Sequence, residues 1–226
     1  MQRYNIFNQI HKGLRAMLYD TALALQQTDF INADEAEAVL SSMDKVLNCF
    51  HSHAQHEARF ILPAIQQFDP RLVHEFEVAH QQDESLAHKL CNLIPVYDRA
   101  LSGEAKQEAG EAISNAFNEF VAFNLCHMSK EEDKINRALW VNYTDECIKE
   151  IHCRILAALP PSGIEFEARW MMKGISNQEI VTWLKVVENT APEIVFRSLL
   201  SLAENELPVC RWNNIKESLT EGVMIA

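Results

Sequence analysis

Four stretches of this chain, 5–27, 34–67, 70–94 and 104–138, keep apolar residues three and four positions apart over several turns. That spacing is the period of a helix with one apolar face. Only short turn signals separate the stretches. Long amphipathic helices joined by short connections pack against their sequence neighbours in antiparallel fashion. The pattern therefore predicts an all-α fold, an antiparallel four-helix bundle. With 6 glycines and 7 prolines in 226 residues, the chain lacks the frequent punctuation of an all-β protein. A hydrophobic share of 48% is ample for the core.

The turn signals set the expected boundaries. Asn32 and Asp34 read as caps for the second helix, and Pro63 as a kink near its end. Phe68-Asp69-Pro70 reads as a turn with Pro70 opening the third helix. Pro95 marks a change of direction, and Ser102-Gly103 opens the fourth helix. Thr144-Asp145 caps a shorter helix reaching about Leu159. Pro160-Pro161-Ser162-Gly163 is the strongest boundary in the chain. Two regions are thus expected: residues 1–159, the bundle with its following helix, and residues 160–226, a helical extension. The extension is expected to cap the bundle or make a homodimer interface.

Charge and cysteines narrow the function classes. A net charge of −12 and a pI near 5.2 argue against nucleic acid and against an anionic membrane surface as partners. The six cysteines form no C-x-x-C pair and read as reduced thiols, which fits a cytoplasmic protein. No signal peptide and no transmembrane helix are expected.

The informative residues are polar ones that fall on the apolar seams. In the second helix the seam runs Met43, Val46, Phe50, then Phe60 and Ala64, and the same steps land on His53 and Glu57. His51 lies roughly 160° from His53 around the helix and should face water. His56 sits at the edge, roughly 60° away. The fourth helix repeats the arrangement, with Ile113, Phe117, Phe120, Asn124, His127, Glu131 and Ile135. The first places His11 beside Phe7, Leu14 and Leu18, and the third places His80 and Glu84 beside Val73, Phe76 and Ala87.

One histidine on an apolar stripe is ordinarily a hydrogen-bonded core residue. Four helices that each turn a histidine inward, two of them with His-x-x-x-Glu, are much harder to obtain by accident. Burying so many polar groups without partners costs a few kcal/mol each (~1–3 by mutational data). A metal site removes that cost. Residues four apart stack on one helix face, so one ion or a pair can take both side chains. Imidazole with carboxylate suits iron, manganese or zinc, and carboxylates able to bridge favour two metals. His74 and His152 are expected in solvent, while His56 and His88 are lesser candidates for a ligand or for a role supporting the ligands.

These residues resemble the hemerythrin-like, or HHE cation-binding, family. The resemblance covers roughly residues 5–140, in order: 10-IHKGLRAML-18, 53-HAQHEARFILP-63, 79-AHQQDESL-86 and 127-HMSKEED-133. It implies a four-helix bundle around a non-haem di-iron centre. Carried over, His11, His53, His80 and His127 match ligand histidines, and Glu57 and Glu131 the bridging carboxylates. Glu84 stands where oxygen-carrying members have a second third-helix histidine, and joins the expected ligands. Those members place the fourth-helix carboxylate five residues after its histidine, which is Glu132 here. The implied function is binding or sensing of oxygen, peroxide or nitric oxide, or iron handling under stress. A di-iron oxidase or peroxidase, and a metal-responsive regulatory module acting through the extension, are the alternatives.

Overall fold

A computed structural model of the chain describes residues 3–221, and among them every regular element is helical. By contact these residues form two compact units. The larger holds the described residues through Asn8 together with Met17–Ala158. The smaller joins Gln9–Ala16 to the described residues from Leu159 onward.

Helix α1 (Asn8–Gln27) contributes Gln9–Ala16 to the smaller unit and its remaining residues to the larger. In the larger unit it leads to α2, which runs from Ala33–His56 through a π-helical turn, Glu57–Ile61, into Leu62–Ile65. Helix α3 spans Pro70–Arg99. Helix α4 spans Gly103–Lys130, passes a second π-helical turn at Glu131–Ile135 and ends with Asn136–Asn142. Helix α5 covers Asp145–Ala158. The starts are set by side chains that take up amide groups left open in the first turn. Asn32 accepts from the amides of Asp34 and Glu35, Asp69 from Leu72, and Ser102 from Ala105.

Pro95 does not turn the chain. Helix α3 continues through it to Arg99, whose Nε donates to the Pro95 carbonyl at 2.9 Å. Pro95 and Cys91 are both exposed, so the carbonyl that loses its helical donor can be solvated. Gly110 has a definite steric reason: a Cβ there would lie 2.0 Å from Cγ of Phe30. The Phe30 ring occupies that space, and Tyr97 ties down the same loop by donating to the Phe30 carbonyl at 2.9 Å.

One apolar cluster closes an end of this bundle: Phe7, Ile61, Leu62, Ile65, Val73, Phe76, Ile135 and Leu139, with Ile148 and Ile151 from α5. The buried positions after Glu57 are Ile61, Leu62 and Ile65, whereas Phe60 and Ala64 are only half-buried. The expected seam is offset by one residue. A π-turn inserts one residue into the helical period, and every later side chain rotates accordingly.

The smaller unit contains α6 (Pro161–Gly174), α7 (Asn177–Thr190), α8 (Glu193–Glu206) and α9 (Val209–Glu221). Its core is Met172, Ile175, Ile180, Leu184, Ala203, Leu207, Trp212 and Ile215. Ser176 and Glu179 form a capping box at the start of α7. Glycine lets α6 approach the Gln9–Ala16 segment closely: a Cβ on Gly174 would lie 2.3 Å from the Lys12 carbonyl oxygen. Lys12 also pairs with Glu179 at 2.5 Å. Among the described residues, no helix is long and apolar enough to cross a membrane.

Candidate metal centre

Helix α2 carries His53 and, one turn later, Glu57. Helix α3 carries His80, and α4 carries His127 and, one turn later, Glu131. The period that makes each face apolar aims these side chains at one another. Glu57 is 1% exposed and Glu131 fully buried. Oε1 of Glu57 lies 3.2 Å from Nε2 of His53, and Oε2 lies 3.1 Å from Nε2 of His80. Oε1 of Glu131 lies 2.8 Å from Nε2 of His127 and 3.6 Å from Nε2 of His80. Donor atoms of Glu57, His80, His127 and Glu131 all fall within 4.8 Å of one another, and so do those of His11, His53, Glu57 and Glu131.

The two sets share both glutamates, and each adds two imidazoles. A carboxylate with its oxygens aimed at different histidines could offer one oxygen to each of two ions. Two imidazole nitrogens with carboxylate oxygen form a donor set suited to iron, manganese or zinc. The residues present therefore fit a pair of transition-metal ions.

Without a metal, protons must offset the buried charge. Burial opposes a charged His80, yet its hydrogen bonds with Glu131 and Glu57 outweigh that and raise its pKa to about 10. The surroundings are mainly apolar. The Phe123 ring stacks on His127 at 5.6 Å, and Phe76 lies tilted against it at 5.7 Å. A groove of about 300 Å³ between α3 and α4, with Ala79, Phe123 and Cys126 among its walls, reaches His127.

Both glutamates open a π-helical turn. At the first, the Leu62 amide donates to the Glu57 carbonyl, five residues back. Pro63 follows at once and has no amide hydrogen to continue the α-ladder, so the wider turn accommodates it. No proline follows the second. There Asn136 Nδ2 takes up the Glu132 carbonyl at 2.9 Å.

Not every expected ligand is brought in. Glu84 is exposed and lies in neither donor set. The buried acid of that turn is Asp83, at 6% exposure. Helix α3 buries Phe76, Asp83, Leu90 and Tyr97, a strict seven-residue repeat, and this phase puts Glu84 outside. That repeat was the available signal for Asp83. At the fourth-helix position Glu131 belongs to both sets, and half-buried Glu132 to neither. His56 is half-buried, stacks on Phe60 and is outside both sets, while His51, His74 and His88 are exposed. His152, expected in solvent, is instead half-buried and hydrogen-bonded to the Tyr4 hydroxyl.

Comparison with curated proteins and with solved structures finds no match. The family model described as the hemerythrin HHE cation binding domain matches residues 2–139, more than half of the chain and the part that carries all six converging residues. The chain therefore belongs to the hemerythrin HHE cation-binding domain family.

Proposed function

We propose that this protein holds two iron ions and uses them to bind or sense a small ligand, oxygen, peroxide or nitric oxide. The observation that carries this reading is Glu57, with one oxygen facing His53 and the other facing His80. Two ions joined by that carboxylate would be held by His11 and His53 on one side and by His80 and His127 on the other. Glu57 and Glu131 would be common to both. Iron supplies a redox-active centre with room for a small ligand.

The chain's own residues prepare that centre. His80 must release its proton on loading, because its Nε2 faces both glutamates and is the nitrogen a metal would take. Phe76 and Phe123 pack against the His127 ring and make its surroundings apolar. The apolar cluster containing Phe7, Ile61 and Ile135 packs in the turns next to the two glutamates, where dry surroundings strengthen electrostatic attraction to a metal.

The test is optical. Protein loaded anaerobically with ferrous iron is exposed to oxygen or nitric oxide. A new ligand-to-metal charge-transfer band is expected, absent from Glu57→Gln treated identically. No band with either gas would contradict the proposal. A manganese or zinc protein would reveal itself by taking up those ions in preference to iron.

A further inference from the structure

Among the described residues, the buried charged side chains are His11, Glu57, Asp83, His127 and Glu131. All but Asp83 belong to the two donor sets. Asp83 lies one turn from His80 on α3, and Asn124 lies one turn before His127 on α4. Asn124 Nδ2 donates to Asp83 Oδ1 at 2.6 Å and to the Phe120 carbonyl at 3.1 Å. The pair thus spans α3 and α4 one layer from His80 and His127, whose ring centroids are 5.1 Å apart. The Asp83 carboxyl interacts electrostatically with His127, His80 and His53, residues of three different helices. It therefore faces the same interior as the imidazoles without sitting among the donor atoms.

The neighbouring wall is apolar, with Phe50 and Phe120 packed edge to face at 5.4 Å. Two leucine-sized side chains would fill the Asp83–Asn124 layer with no polar group to satisfy, so an acid held by an amide calls for a use. We propose that Asp83, oriented by Asn124, is the hydrogen-bonding residue for a small oxygen- or nitrogen-containing ligand held on the metal pair. This rests on the two-metal reading above. Asn124 fixes one carboxyl oxygen as an acceptor and leaves the other to meet the ligand. In the metal-free protein, burial outweighs the Asn124 hydrogen bond and holds the carboxyl above the usual carboxylate range.

The probe is azide, titrated into the iron-loaded, oxidised protein and followed by its charge-transfer band, with iron per chain measured on the same samples. Asp83→Leu should keep two irons and bind azide about tenfold more weakly, the scale of one hydrogen bond to a charged group. Asp83→Asn, whose amide can donate, should recover most of the affinity. Unchanged azide affinity in Asp83→Leu at full iron loading would overturn the proposal and leave the two-metal reading intact. Loss of iron in both variants would also overturn it, by making Asp83 a ligand. Wild-type protein with fewer than two irons would overturn both readings.

Discussion

Glu57 of α2 and His80 of α3 meet at 3.1 Å in the interior of the bundle, twenty-three residues apart in sequence. The other oxygen of the same carboxylate faces His53. A single side chain thus joins imidazoles from two helices, and the rest of the centre is arranged around it. Glu131 also meets imidazoles from two helices, His127 and His80, but through one oxygen, Oε1.

Glu57→Gln keeps the shape of this group and removes its charge and half of its bridging capacity. The metal-loaded protein should lose both ions together, with affinity for each reduced at least about 100-fold, the upper end for perturbing a metal's supporting shell. His53→Ala should instead retain the ion held by His80 and His127. Metal analysis after dialysis checks both. Full loading of His53→Ala would contradict the assignment of His53.

The metal-free protein should lose stability at high pH. His80 has a folded-state pKa of about 10, above its unfolded value near 6.5. A raised histidine stabilises the folded state fully below the unfolded pKa, and that contribution is lost as pH rises through the folded pKa. Thermal unfolding of the metal-free protein between pH 6 and 10.5 should therefore show a falling Tm, and His80→Gln should flatten the slope. Metal loading at pH 7 should release a proton from His80, detectable in weakly buffered solution.

Gly174→Ala should destabilise the protein by about 1–3 kcal/mol, because its Cβ would meet backbone rather than a movable side chain. Gly110→Ala should do the same through the buried Phe30 ring. Gly103→Ala is the control: its Cβ would meet only Ile31 side-chain atoms at 3.5 Å or more, and its effect should stay within about 0.5 kcal/mol. Chemical denaturation of the three variants measures the differences.

The sequence made the centre legible wherever a helix was regular. Met43, Val46 and Phe50 lead to His53 and Glu57 by the same steps that bury them, and Phe117, Phe120 and Asn124 lead to His127 and Glu131. Legibility failed where the period changed. The π-turn at Glu57–Ile61 moved the core from Phe60 and Ala64 to Ile61 and Ile65, and a rule of three and four has no way to announce an extra residue. On α3 a step of four from His80 gave Glu84, whereas the repeat from Phe76 through Leu90 to Tyr97 selects Asp83. The grouping of Gln9–Ala16 with the C-terminal helices was hidden for another reason. It depends on the fit of Gly174 against Lys12, a contact between residues far apart in sequence with no local pattern.

The two-metal centre is the central claim, and counting ions tests it most directly. Metal-free protein is titrated anaerobically with ferrous iron, and bound iron per chain is measured at saturation. The two-metal reading, with one Glu57 oxygen facing His53 and the other His80, predicts two ions per wild-type chain and one in His53→Ala. Saturation at a single ion in the wild type, or no uptake at all, would contradict it.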